Sequence, residues 1–232
     1  MNSNCVFIQT GQCGNQLGYS LLDKLYSHLS GTDAAVSADH KKSGQKSTRK
    51  HLGRGDDDDG WLQQLDYGDA SLEKYFRYNP ISKKSIARSV SLDTEPKVVQ
   101  QCLQRSIHPS SQWVIDPRSA CYLHGGAGNN WALGYQMASG EFLQTSIDLV
   151  TRELEHCDCG QSLVVIHSIA GGTGSGLGTR ITEACEDEFK SATRLNVAIA
   201  PYHFGEVVVQ HYNTVLSLAK ISASSNGVLV SE

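Results

Sequence analysis

Four short runs carry residue types that could hold phosphate. They are Thr10-Gly11-Gln12-Cys13-Gly14-Asn15-Gln16, Asp93-Thr94-Glu95-Pro96, Gly125-Gly126-Ala127-Gly128-Asn129-Asn130-Trp131 and Ala170-Gly171-Gly172-Thr173-Gly174-Ser175-Gly176. The last run says most. Glycines interleaved with Thr173 and Ser175 let the backbone approach a ligand closely and present successive amides and hydroxyls to phosphate oxygens. The run is not a Walker loop, since no Gly-Lys-Ser or Gly-Lys-Thr occurs in the chain, and its spacing does not fit the dinucleotide fingerprint. Without a lysine to neutralise phosphate, backbone amides and a bound cation must do so. Asp93 and Glu95 are the natural partners for Mg2+, held through waters because this hard ion keeps much of its hydration shell.

Each of these residues also has a plainer reading. Gly11, Gly14 and Gly128 taken singly are turn glycines, and only their joint placement argues otherwise. Cys13 is by default a small buried hydrophobe, which packs against a ligand rather than attacking it. Asp93 or Glu95 could cap the helix that begins near Pro96. Trp131 reads as core at the start of a helix. His167 beside Ser168 resembles half of a hydrolase pair, but neighbours on a strand point to opposite faces, which argues against a serine hydrolase.

The elements that must position these runs are legible as alternating strands and helices. Cys5–Ile8 is a short apolar strand, followed by Leu17, Leu21, Leu22, Leu25 and Leu29 at helical spacing. A second strand is expected over Ile86–Leu92, leading into a helix over Pro96–Leu103 whose proline suits a first turn. Cys121–Leu123 reads as a strand, and Leu143, Ile147, Val150 and Leu154 mark a helix. Ser162–Ser168 is a strand running into the glycine cluster and a helix with Leu177, Ile181, Cys185 and Phe189. Leu195–Ala200 is a strand, Val209, Tyr212, Leu216 and Ala219 mark a helix, and Gly227–Val230 begins another strand. The expected fold class is α/β, a Rossmann-like parallel sheet with helices on both faces. In such a sheet, ligands bind beyond the carboxyl ends of the strands, where all four runs fall.

The rhythm breaks from about Gly31 to Lys84, with a basic stretch over His40–Arg54 and then Asp56–Asp59; this reads as a polar, flexible insertion into a single domain spanning 1–232. The four aspartates do not make a calcium hand, because Gly55 stands where its first acidic ligand would be. Cys157 and Cys159 lack a second ligand pair at zinc spacing. A net charge of -4 gives no basic field for nucleic acid. No apolar run reaches the ~18 residues of a membrane span. Seven scattered cysteines and no signal peptide in Met1–Gln9 point to a reducing cytosolic compartment.

Taken together, Gly11–Gln16, Gly128-Asn129-Asn130-Trp131-Ala132 and Ala170–Gly176 resemble, in order, the nucleotide loops of the tubulins, and the resemblance covers the chain except the insertion. Ala170, Ala87-Arg88-Ser89-Val90 with Glu95-Pro96-Lys97-Val98, and Pro201-Tyr202 with Gly205-Glu206-Val207 look like the delta branch. His156–Cys159 and Glu186–Phe189 look like the epsilon branch, the runner-up. The resemblance implies a GTP/GDP site with Mg2+. Gly11, Gln12, Cys13 and Gln16 would lie against phosphates and nucleotide, Asn129 would touch phosphate or ribose, and Asp93 and Glu95 would hold the magnesium shell. Ser168, Gly171, Gly172, Thr173, Gly174, Ser175 and Gly176 would cradle the phosphates, with Glu206 and Gln210 by the ribose. Gln210 departs from the acidic ribose contact of alpha and beta chains, and the Pro201–Gln210 loop is one residue shorter than theirs.

The resemblance further implies a cytoskeletal protein of centriole, basal body and ciliary microtubules, whose partners are other tubulins and microtubule or centriole components. In the family, the guanine-reading asparagine and the central helix follow the point where this chain stops, and hydrolysis needs an acidic residue from a neighbouring subunit. Weak, poorly selective binding and negligible turnover are therefore expected. Two alternatives stand beside this reading: an assembly module of the same fold that leaves its pocket empty, and a self-sufficient GTPase like FtsZ.

Overall fold

The computed structural model describes residues 4–31, 71–157, 161–202 and 207–232. Strand β1 (Asn4–Thr10) runs into helix α1 (Gly11–Leu29), and a small-sheet segment follows, with β2 (Phe76–Asn79) and β3 (Lys84–Ala87). Next come β4 (Ser89–Asp93), α2 (Pro96–Ser106), β5 (Trp113–Val114), a single 3-10 turn over Pro117–Ser119 and β6 (Ala120–Tyr122). Helices α3 (Trp131–Met137) and α4 (Gly140–Glu155) lead to β7 (Gln161–Ser168), a π-helical turn over Thr173–Leu177 and α5 (Gly178–Glu188). The chain then forms β8 (Thr193–Ile199), α6 (Gln210–Ser224) and β9 (Gly227–Ser231).

The main sheet is six-stranded and parallel throughout, in the order β6-β4-β1-β7-β8-β9. The order runs outward from β1 in one direction and then resumes at β7 in the other. This is the doubly wound arrangement, with its crevice at the carboxyl ends of β1 and β7. The α/β fold expected from the alternation is the one present.

Strand alternation divides the core in two. Val6, Ile8, Leu163 and Val165 face Phe142, Val150 and Leu154 of α4 and Ile181 and Cys185 of α5. Phe7 and Ile166 face the other way, against Leu22 of α1 and Val98 and Cys102 of α2. Because both faces of the central strands are covered, they read as continuous apolar runs rather than alternating ones. The last helix, α6, brings Ile221 against Ile169 and Ala198.

Two expectations need correction. Ile86–Leu92 is not one strand: the chain changes sheets at Arg88, whose N–H donates to Tyr75 O while its own carbonyl accepts from Phe7 N. The buried guanidinium completes the switch, donating to the carbonyls of Glu73 and His156. The polar insertion is also shorter than 31–84, because residues 71–84 belong to the fold. There, β2 pairs antiparallel with β3, which pairs with β5. Phe76 is buried edge-on against both Tyr26 and Trp113. The basic stretch and the aspartate run lie outside the described residues, as does Cys159.

Candidate functional site

The glycine runs are brought to one rim of the sheet, and they touch. Thr10 ends β1, and Gly11 turns the chain with φ +72° so that α1 begins at once. A side chain on Gly11 would meet Gly174 N at 2.9 Å, so the first loop packs backbone to backbone on the loop after β7. Gly172 is similarly close to Asn130 N, at 2.6 Å from where its Cβ would stand. Thr94, just after β4, joins the same cluster, its Oγ1 2.6 Å from Thr173 Oγ1. Any Cβ at these glycines would force apart loops whose spacing sets the site.

Side chains beneath the rim hold the loops in place. Asn15, fully buried, donates through Nδ2 to Gly11 O (2.9 Å) and to Leu92 O (3.1 Å), tying the first loop to β4. Asn213 of α6 does the same for the two later loops: Nδ2 donates to Asn129 O (2.9 Å) and Ala170 O (2.8 Å), and Oδ1 accepts from Trp131 N (3.1 Å). Asn129 itself has φ +56°, an uncommon conformation for a residue with a side chain. Ser175 donates to the carbonyls of Gly171 and Gly172 and so closes the phosphate-type loop on itself. The following π turn carries five residues of that loop into α5, and such turns recur at functional sites.

The cleft bounded by these loops has a volume of about 820 Å³, within the ~300–1,000 Å³ of a small-molecule site. Of the residues expected there, Gln12, Cys13, Gln16, Asp93, Glu95, Gly128 and Asn129 line it, as do Ser168, Gly171, Gly172, Thr173 and Gly174. Gly11, Ser175 and Gly176 lie behind that surface: Gly11 and Ser175 shape the loops, and Gly176 packs on the backbone of Trp131 and Tyr135. Gln210 is buried at the start of α6, donating to Tyr202 O at 3.2 Å, and is not part of the lining. Glu206 is outside the described residues. Trp131 opens α3 half-buried, with its ring stacked on Tyr135 at 4.8 Å.

The expectation of a site without lysine does not hold. Lys97, in the first turn of α2, lines the cleft with Glu95 and Val98, and Leu17, Ser20 and Ala127 complete it. The signal was present in the sequence: Pro96 opens a helix beyond a strand end, which places the next side chain at the rim. Asn213 was likewise unassigned, and no feature of Tyr212-Asn213 alone would have shown a clamp.

Electrostatics separate the two kinds of group. Asp93 is 4% exposed. Burial pushes its carboxyl up to about 6, against the opposing pull of hydrogen bonds from Thr94 N and Glu95 N. A carboxylate so desolvated is one that a cation would stabilise. Burial also raises the Cys13 thiol, which suits packing rather than nucleophilic attack. His167 is fully buried, 2.9 Å from Gly174 O and 3.0 Å from Asn196 Oδ1, and burial lowers its pKa. Ser168 instead lines the cleft and accepts a hydrogen bond from Ala170 N, so the two neighbours part as strand geometry requires.

Chemically, this arrangement suits a polyanion with a divalent ion. The amides of α1's first turn receive no side-chain cap from Thr10, and those at the Thr173 turn receive none from Gly172. Uncapped amides at helix starts carry the positive end of the helix dipole.

Comparison with known proteins agrees with the geometry. The profile of the Tubulin/FtsZ family, GTPase domain, matches residues 4–232. Delta-tubulin of Canis lupus familiaris is 36% identical over 227 residues, covering 98% of this chain and 45% of that protein. The human delta chain is 34% identical over the same length and the same shares. The human epsilon chain is 29% identical over 240 residues, with 97% and 43% covered. The chain thus spans less than half the length of these relatives. On the profile match and the doubly wound sheet with its converging glycine loops, the chain belongs to the Tubulin/FtsZ family and forms its GTPase domain.

Proposed function

We propose that the cleft binds a guanine nucleotide together with Mg2+, and that the chain serves a tubulin-type cytoskeletal protein. The observation that carries the reading is that four separate loops touch around one cleft, through three contacts: Gly11 with Gly174, Gly172 with Asn130 and Thr94 with Thr173. Loops pressed together at backbone distance present a fixed array of amide donors, and a triphosphate tail is the common metabolite that fills such an array.

Mg2+ fits the residues present. Among the described residues no group of three or more His, Cys, Asp or Glu side chains converges, so a dedicated protein cage is not what the chain offers. Asp93, buried and raised to about 6, and its neighbour Glu95 give two carboxylates beside the amide array. That matches an ion which takes one or two carboxylates, several waters and phosphate oxygens. The ion would screen the phosphate charge; the chain's own part is to orient the tail through the loop amides and through Gln12 and Thr173.

The reading extends to the protein's setting. The similarity to delta and epsilon tubulins supports a cytoskeletal role with other tubulins as partners, and the role we assign within it is centriole, basal body and ciliary microtubule organisation. Exposed apolar side chains on α6, Tyr212 (74%) and Val215 (67%), with Val208 (93%) in the turn before it, support docking against another protein. No described helix is long and apolar enough to cross a membrane.

The test is calorimetric titration with GTP and with ATP, each with Mg2+. Saturable but weak GTP binding that weakens at least tenfold on removing Mg2+, with little discrimination against ATP, is the expected result. Absence of any nucleotide binding would leave the assembly-module alternative standing.

A further inference from the structure

We propose that Lys97 is the specificity-determining cation of this cleft, pairing with the terminal phosphate and making the site prefer a nucleoside triphosphate to a diphosphate. The proposal rests on the nucleotide reading above and adds a residue and a selectivity to it. Among the described residues, Lys97 is the only basic side chain on the cleft wall, which otherwise offers two carboxylates, neutral amides and hydroxyls. Uncompensated, Asp93 and Glu95 would repel a polyphosphate.

Three features direct Lys97 to the tail. It follows Glu95 by two residues, so it emerges from the same loop that carries the carboxylates and lies next to the Thr94–Thr173 contact. It stands in the first turn of α2, where Pro96 fixes the chain and Glu95 provides no side-chain cap, so the free helix amides add positive potential beside the ammonium. Finally, it is exposed and, among the described residues, has no ion-pair partner, so its charge is uncommitted. An ammonium is a point charge on a flexible stem, suited to following a terminal phosphate rather than gripping a flat group. The loops thus fix the shared part of the tail, and Lys97 reads its length.

The experiment compares the unaltered chain with Lys97→Met and Lys97→Arg in titrations with GMP, GDP and a non-hydrolysable GTP analogue, with Mg2+ present and at two salt concentrations. Lys97→Met keeps the apolar stem and removes the charge; because the residue is exposed, circular dichroism should match the parent. A loss of about tenfold for the triphosphate is expected, as for a charge-assisted hydrogen bond, with a smaller loss for GDP and none for GMP. Lys97→Arg should recover most of it, and Lys97→Met should flatten the salt dependence for the triphosphate. Equal affinity of parent and Lys97→Met for all three ligands would overturn the proposal and leave the nucleotide site intact, as would a loss of the same size for GMP. Failure of the parent to bind any of the three would overturn both.

Discussion

Two groups of loops line the cleft, and they are made of opposite materials. The turns at Gly11 and Gly171–Gly176 are largely buried, almost free of charge and packed so that backbone meets backbone. The Asp93–Lys97 segment carries its function on side chains, with one buried carboxylate and two exposed charges of opposite sign. The first group sets shape and the second sets charge. Shape of this kind tolerates no added atom, whereas charge can be changed one group at a time with the fold intact.

The sharpest way to break the comparison is to add bulk to the first group. Gly174→Val would place atoms 2.7 Å from Ser168 O, and the glycine turn must lift away from the end of β7. Nucleotide binding should be lost altogether, with a stability cost of about 1–3 kcal/mol for overpacking a tight site, read by denaturant titration. If the assembly-module alternative held, the same variant would keep its partner binding unchanged.

A change in the second group should separate binding from folding. Asp93→Asn keeps an oxygen to accept from Thr94 N and removes the charge. Because burial raises the Asp93 pKa to about 6, the ionised form is disfavoured in the folded chain. Its contribution to stability is therefore fully present below the ordinary carboxyl value of ~3.9 and is lost as pH rises through about 6. Measured by thermal denaturation without ligand, the parent should gain on Asp93→Asn as pH falls from 7 to 4. Mg2+-dependent nucleotide affinity should move the other way, falling through pH 6 in the parent and low at every pH in Asp93→Asn. A variant that binds Mg2+ and nucleotide as the parent does would remove Asp93 from the ion's shell.

The smallest effect is expected where the two groups meet. Thr94→Val deletes the hydroxyl contact with Thr173 but keeps the volume, and should cost about 0.5–1.5 kcal/mol in stability. A loss in affinity much larger than that would mean that shape and charge are more tightly coupled than the division supposes.

The same division explains what the sequence made legible. Glycine runs following apolar strands announce themselves, because close backbone approach has few other solutions; hence the rim, the parallel sheet and most of the cleft lining could be read in advance. Arg88 could not, since its role as the point where the chain leaves one sheet for another depends on the distant carbonyls of Glu73 and His156. Residues 71–84 were hidden for a related reason: their strands are four residues long, and only Phe76 and Ser85–Ala87 bury a strand side chain. Asn213 was invisible as a clamp because it reaches loops some 43 and 84 residues away in sequence. Lys97 is not legible from the glycine runs, since the chain sets it on a neighbouring helix rather than inside a glycine loop.

The central claim is that separate loops act as one receptor, and amide hydrogen exchange with and without Mg2+ and GTP tests it most directly. The account predicts that the amides of residues 11–16, 93–97, 127–131 and 171–176 gain protection together at a single ligand concentration. Protection confined to one of these segments, or appearing along α6 while the glycine loops exchange as before, would contradict it.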